Sequence, residues 1–250
     1  MEQGQVWEAY ASAEPYWAVL TQDRFLKSQM TAEHRAAFFD SGRQHVASLL
    51  GTLKRHFEVN FPPRRVIDYG SGAGRLAIPF AELGAEVLGL DVSQSMVVEA
   101  TRNAEMLKLP NCRFHTTGDF DWEAAGQFDL VHSFIVFQHI PEADGLAIIE
   151  KLLNRLAPGG LAALQVLFAS TYVPPPPAPA PAEGAAPAAA AAAAPAPERP
   201  LAHLPPMLMA NYDMNRICAM CNAIGATSAY LQFTNHGPYA GAFVCAQRPA

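Results

Sequence analysis

Three glycines at every second position, in the run Val66-Ile67-Asp68-Tyr69-Gly70-Ser71-Gly72-Ala73-Gly74-Arg75, constrain this chain more than any other feature. Arg64 to Ile67 reads as a short buried strand, and the glycines then remove each Cβ where the backbone must turn tightly and lie against a ligand. Leu76 to Leu83 continues as a helix whose start leaves N–H groups free, an anionic ligand group being one use for them. Gly84-Ala85 ends that helix. Glu86 to Leu90 forms a second strand, and Asp91 stands at its carboxyl end, where a carboxylate can take both hydroxyls of a ribose. The stretch describes a nucleotide-type pocket, with a ligand-free strand-to-helix turn as the plain alternative.

The spacing separates two cofactor classes. A dinucleotide fingerprint, G-x-G-x-x-G, would put its third glycine at Arg75, whereas the pattern here is G-x-G-x-G. With its preceding acid and the acid that closes the next strand, the segment resembles motif I of the class I S-adenosylmethionine-dependent methyltransferases; Asp68, Gly70, Gly72, Gly74 and Asp91 all match. Later segments follow in the order that family requires. Asn111 to Phe120 looks like the third strand and its exit, and Gln127 to Phe134 like the fourth. Ile135 to Pro141 is a form of the aromatic-x-His-hydrophobic turn. Leu146 to Leu156 has helical spacing, and Ala157-Pro158-Gly159-Gly160 is the stop before a fifth strand, Leu161 to Phe168. Asp213 to Ile224 is a short helix stopped by Gly225. Strands at Ala226 to Phe233 and Gly241 to Ala246, joined by a loop over Thr234 to Ala240, resemble the closing hairpin.

The resemblance implies an α/β fold: a Rossmann-like, doubly wound sheet of seven strands, mostly parallel with one antiparallel strand, and an N-terminal helical extension. It implies S-adenosyl-L-methionine as cofactor, with Asp68, Gly70, Ser71, Gly72, Gly74, Arg75, Asp91, Val92, Asp119, Phe120 and Ser133 at its site. In that family, backbone around Gly70 and Gly72 would meet the methionine part and Asp91 the ribose. Val92 and Phe120 would flank adenine, and Asp119 would accept from its amino group. A cation at a helix's first turn opposes the dipole, so Arg75 needs another interaction, either the cofactor's carboxylate or a surface salt bridge.

At 250 residues, half of them hydrophobic, the chain can bury one sizeable core with appendages. It divides into an N-terminal helical extension or lid (1–60), a cofactor-binding core (61–171), a Pro/Ala-rich insertion (172–206) and a closing helix and hairpin (207–250). In the extension, Phe38, Phe39, Val46, Leu49, Leu50, Leu53 and Phe57 recur at helical spacing and read as core. The insertion cannot bury enough side chain to offset its ordering entropy and reads as disordered. Formal net charge is −6 with no Lys/Arg block, so no nucleic-acid partner is expected. No stretch reaches the roughly 20 apolar residues that span a bilayer, no signal pattern opens the chain, and four unpaired cysteines suit a reducing cytoplasm. Cys218-x-x-Cys221 lacks a second ligand pair and reads as two core cysteines on a helix.

Methyl transfer from a sulfonium is an in-line displacement in which positioning does much of the work. The end of the fourth strand, His132-Ser133-Phe134, lacks the acids of magnesium-dependent relatives, so no metal is expected. Patterns typical of amino-group methylation are missing too, which leaves an oxygen, ahead of a nitrogen or carbon, on a small hydroxylated metabolite or glycan-type acceptor. His139 is the catalytic candidate, a neutral imidazole that could take a hydroxyl proton, with packing beside the cofactor ranked above that role. Tyr16, Trp17 and His236 are substrate-side candidates, again behind plain packing; Gln138 and His132 rank lower. The alternatives are a cofactor-binding protein without turnover, its Pro/Ala segment recruiting a partner, and a nicotinamide oxidoreductase, which Arg75 in place of glycine disfavours. The acceptor and the oligomeric state cannot be read from these residues.

Overall fold

A computed structural model describes residues 3–57, 62–171, 201 and 203–250. Most of the Pro/Ala-rich insertion lies outside the described residues. The chain opens with α1 (Gln3–Ala13), α2 (Pro15–Val19) and α3 (Ala32–His56). Thr31 caps α3 by accepting from the His34 N–H at 3.1 Å, and Lys54, Arg55 and His56 complement the dipole at its other end. Phe38, Phe39, Gly42, Val46, Leu49 and Leu53 form its buried stripe. Gly42 is a contact point: a Cβ there would fall 1.9 Å from the carbonyl oxygen of Arg75, so only glycine lets α3 lie against the glycine turn.

The core then runs β1 (Arg65–Tyr69), α4 (Ala77–Glu82), β2 (Glu86–Asp91), α5 (Gln94–Met106), β3 (Cys112–Thr116), β4 (Phe128–Ser133), α6 (Glu142–Asn154) and β5 (Leu156–Ser170). It closes with α7 (Met214–Ala223), β6 (Ala229–His236) and β7 (Tyr239–Gln247). The seven strands pair in the order β3-β2-β1-β4-β5-β7-β6, all parallel except β7, which runs antiparallel to both neighbours. The Rossmann-like sheet expected from the sequence is therefore present, including its one antiparallel strand. Apolar side chains cover both faces. One cluster joins α1–α5 to Val66, Leu130, Ala163, Phe243 and Cys245; the other joins α6 and α7 to Ile67, Val131, Leu164 and Val244.

Strand order reverses between β1 and β4, with β2 and β3 on one side and β5 to β7 on the other. In open α/β sheets the crevice at the carboxyl ends of such strands is where ligands settle.

Three boundaries and one burial differ from the sequence reading. The fifth strand begins at Leu156, which pairs with Phe128 before the register breaks and resumes at Leu161 opposite Leu130. Ala157-Pro158-Gly159-Gly160 is therefore an irregularity within the strand, not a stop before it. The closing hairpin turns on Gly237-Pro238 alone, with His236 paired to Tyr239, so His236 ends a strand and does not lie in a long loop. Helix α6 starts at Glu142, four residues before the apolar spacing becomes readable. Of the two cysteines on α7, Cys221 is buried and Cys218 is exposed, so only one is core.

Candidate functional site

The glycine turn is fastened from below and from the side. Gly70 and Ser71 both donate their N–H to the Leu90 carbonyl, at 2.7 and 2.9 Å, which binds the start of the turn to the end of β2. Asp91 closes the arrangement: Oδ2 accepts from the Gly72 N–H at 2.8 Å and Oδ1 from the Ser93 N–H at 2.9 Å. Gly70 and Gly72 take positive φ, 73° and 52°, and a Cβ on either would sit 2.2 Å from Val136 or 2.7 Å from Val19. Both glycines are thus required by backbone shape and by crowding. Burial pushes the Asp91 carboxyl up to about 6, against the backbone N–H groups of Ser93, Gly72 and Val92 that pull it down. Ser71 Oγ is buried and has no hydrogen-bond partner among the described residues.

The remaining candidates fall into three groups. Val92 is exposed, with Gly4 of α1 against it, and Asp119 is exposed, accepting from Thr116 Oγ1 at 2.6 Å. Phe120 is half-buried, edge-on to Trp122 at 5.1 Å. These three lie after β2 and β3, on the same edge as Asp91. Asp68 and Ser133 are instead buried and already bonded, Asp68 to His132 Nδ1 at 2.8 Å and Ser133 Oγ to the Tyr69 carbonyl at 2.9 Å. The Ser133 hydroxyl therefore has no hydrogen left to donate to a ligand.

Arg75 is the third case. Its guanidinium is buried and forms no surface salt bridge; it lies 3.5 Å from Ser41 Oγ on α3, and its Nε has no partner among the described residues. Burial lowers it to about 10 while Asp68 pulls the other way. A second unpartnered donor or acceptor, Gln138 Oε1, lies beside His139. Unsatisfied buried groups of this kind call for a partner, because each costs about 1–3 kcal/mol when left alone.

His139 Nδ1 donates to the Leu208 carbonyl at 2.8 Å, its Nε2 lies 3.3 Å from the Gln138 amide nitrogen, and the Trp7 ring covers it at 4.9 Å. Burial holds it below its ordinary value, so the ring is neutral and its two nitrogens are engaged. It ties the turn after β4 to the segment before α7. Tyr16 is also engaged: its hydroxyl donates to Glu99 at 2.6 Å, with Asn103 Oδ1 at 2.8 Å and the Arg35 guanidinium against it. It latches α2 to α5, the packing role ranked first for it. Trp17 is half-buried with an unpartnered indole N–H, and the buried His236 Nε2 is likewise unpartnered among the described residues.

Some residues at the site had no signal in the motifs. Asn103, fully buried on α5, donates to the Ala73 carbonyl at 3.0 Å and so holds the glycine turn from its other side. Its one trace in the sequence is a polar residue in the apolar stripe of Met96, Val97 and Ala100. Glu8 of α1 accepts from Ser93 Oγ at 2.6 Å and from the N–H and hydroxyl of Ser95, clasping the start of α5. Burial raises its carboxyl, but these donors prevail and leave it below the ordinary value.

Comparison with known proteins adds the following. A family model described as a methyltransferase domain matches residues 66–160. The ubiquinone biosynthesis O-methyltransferase of Ruegeria pomeroyi is 39% identical over 101 residues, 40% of this chain and 40% of that protein. The corresponding protein of Xanthomonas campestris pv. campestris is 35% identical over 110 residues, 44% of this chain and 45% of its own length. The match spans less than half of each relative. Among solved structures, magnesium protoporphyrin IX methyltransferase from Synechocystis PCC 6803 with bound SAH aligns over 98% of this chain and 99% of its own, at TM-score 0.60 and 21% identity. The N-terminal domain of EvdMO1 aligns over 83% and 82%, at TM-score 0.56 and 14% identity. These two likenesses establish a shared fold.

Proposed function

We propose that this chain, which belongs through residues 66–160 to the class I S-adenosylmethionine-dependent methyltransferase superfamily, transfers a methyl group to a hydroxyl oxygen of a small acceptor, a metabolite or a glycan-type molecule. One observation carries the reading: a buried carboxylate, Asp91, is held at the carboxyl end of β2 against the Gly70–Gly74 turn, which follows β1, the strand that borders the reversal of strand order. The residues fit the cofactor. Asp91 would receive the ribose hydroxyls, Ser71 Oγ and the backbone of Gly70 and Gly72 the methionine end, and Val92 with Phe120 the adenine. When bound, S-adenosylmethionine supplies a methyl group already attached to its leaving group.

The chain's own residues then orient and dehydrate. Trp7, Tyr10 and Val19 of α1 and α2 lie over the crevice, with the Tyr10 hydroxyl donating to the Pro205 carbonyl at 2.8 Å. Such a cover excludes water and strengthens every electrostatic contact beneath it. With both nitrogens of His139 occupied, deprotonation of the acceptor by that side chain is not part of the reading. Oxygen as the acceptor atom is supported by the two relatives, which are named as O-methyltransferases. No helix among the described residues is long and apolar enough to cross a membrane.

The test is thermal unfolding with S-adenosylmethionine, S-adenosylhomocysteine, NAD or NADP. Ligand at about 100 times its dissociation constant adds about 2.7 kcal/mol of apparent stability. Stabilisation by the two sulfur nucleosides alone, lost in Asp91→Ala, is expected; stabilisation by NAD or by none of the four would overturn the reading. Turnover of a radiolabelled methyl group then separates an enzyme from a protein that only binds.

A further inference from the structure

One buried polar cluster is left unused by that reading. Asp68 and His132 are register partners in β1 and β4, and Asp68 Oδ1 lies 2.8 Å from His132 Nδ1. Their residues are 2% and 0% exposed. Nε2 of His132 in turn lies 3.3 Å from Nε2 of His45, a half-buried residue on α3. The His45 ring stands 4.3 Å from Phe134 and 6.1 Å from Phe243, and those two phenylalanines meet edge to face at 5.8 Å.

Donor and acceptor roles follow from chemistry. A carboxylate only accepts, so Nδ1 of His132 carries hydrogen. Arg75 supplies a cation that offsets Asp68; Ser41 from α3, Phe80 from α4 and Phe243 from β7 also face the cluster, and Asp91 and Cys112 lie within electrostatic reach of Asp68 without touching His132. A second cation at His132 would have no further anion in contact with it in a fully buried place. His132 therefore keeps a lone pair at Nε2, and His45 must donate to it from its own Nε2. That leaves Nδ1 of His45 as a bare acceptor, with no hydrogen-bond partner among the described residues. Burial foremost, with the Arg75 cation nearby, pushes His45 well below its ordinary value, so the ring stays uncharged at ordinary pH.

Beyond Phe243 the same face of the sheet carries more polar groups with little to bind. Gln165 Oε1 accepts from the Ile135 N–H at 3.1 Å, but its Nε2 makes only long contacts, 3.4 Å to the Val166 carbonyl and 3.5 Å to Thr234 Oγ1, and His236 Nε2 has no partner among the described residues. The half-buried Phe134 ring, backed by the buried Phe243 and bordered by underused hydrogen-bonding groups at the carboxyl end of β4, is what a neutral hydroxylated ligand needs.

We propose that the face over Phe134 and Phe243 seats the methyl acceptor, and that Nδ1 of His45 receives the hydrogen bond of an acceptor hydroxyl, in a tautomer fixed by Asp68 and His132. This rests on the methyltransferase reading. His45 orients the hydroxyl oxygen and takes no proton from it. Asp68 and His132 act through His45 as positioning residues.

The test uses the full chain. Long-range proton–nitrogen spectra, assigned with the His45→Gln variant, report the tautomer directly; His45 is expected as Nε2–H between about pH 5 and pH 8. Phenol and anisole are then titrated into the complex with S-adenosylhomocysteine, the two probes sharing a ring and differing in the hydroxyl proton. Phenol should bind about fivefold tighter and shift the His45 Nδ1 resonance. The preference should vanish in His45→Phe while S-adenosylhomocysteine affinity stays within about twofold. His132→Phe should mix the tautomers and weaken the preference, a change that packing alone would not produce. An Nδ1–H tautomer, equal binding of the two probes, or a preference that survives His45→Phe would overturn the proposal. Failure of S-adenosylhomocysteine to bind the wild-type chain would instead overturn the methyltransferase reading, and the tautomer measurement stands apart from it.

Discussion

Burial raises Asp91 to about 6, so between the ordinary carboxylate range and that value the folded chain holds a proton that the unfolded chain has lost. The group's contribution to stability is full below the unfolded value and is lost as pH rises through 6, by about 3 kcal/mol at most. Urea unfolding of the wild type and of Asp91→Ala should therefore diverge between about pH 4 and pH 6, the wild type gaining less with rising pH. Ligand affinity should move the other way: ribose hydroxyls donate to the ionised form, so S-adenosylhomocysteine should bind more tightly as pH rises towards 6, by up to about tenfold per unit in calorimetry. His139 gives a contrasting case. Replacing it with Gln should lower stability by about 1–3 kcal/mol through the lost bond to Leu208, without removing a titration from any pH–rate profile between 6 and 8. The glycines and Asp91 were legible because an unusual backbone leaves a residue-type signature. His45 and Asn103 were not, because their roles are defined by His132 and Ala73, 87 and 30 residues away.

At the level of elements, α1 and α2 are held to α5 by polar side chains as much as by apolar packing. Glu8 clasps Ser93 and Ser95, while Tyr16 and Arg35 grip Glu99 and Asn103. Glu8→Ala should cost about 1–2 kcal/mol and raise hydrogen exchange across α1 while leaving the sheet strands protected; uniform deprotection would show that α1 is part of the global unit. Helical spacing was readable in α3 and α6 because each buries one stripe. The start of β5 and the closing hairpin were misread for physical reasons. Pro158-Gly159 reads as a break, yet Leu156 has already joined Phe128 in the sheet. Gly237 at φ 70° followed by proline makes a two-residue turn, in which the proline's fixed φ suits the second position. Turn length was thus hidden behind residues that also populate longer loops.

Across the whole molecule, the thiols report how cooperatively the sheet is built. Cys112, Cys221 and Cys245 are buried and pushed up to about 12, 11 and 12 by that burial, while Cys218 is exposed. A disulfide reagent should therefore modify one thiol quickly and the other three at the rate of global unfolding; a fast second thiol would expose local opening near β3, α7 or β7. The sheet's order was legible from the sequence of motifs, since parallel strands joined by helices leave few topologies open. One consequence of that order concerns the chain during synthesis. β1 lies between β2 and β4, and His132 of β4 is the hydrogen-bonding partner of Asp68. A nascent chain that has emerged as far as Gly126 carries every glycine of the turn, together with Asp91 and Asn103, but lacks the strand that closes the other flank of β1. The crevice can form only when β4 returns across the sheet, so a ribosome-bound intermediate should hold the complete motif while remaining unable to bind nucleoside.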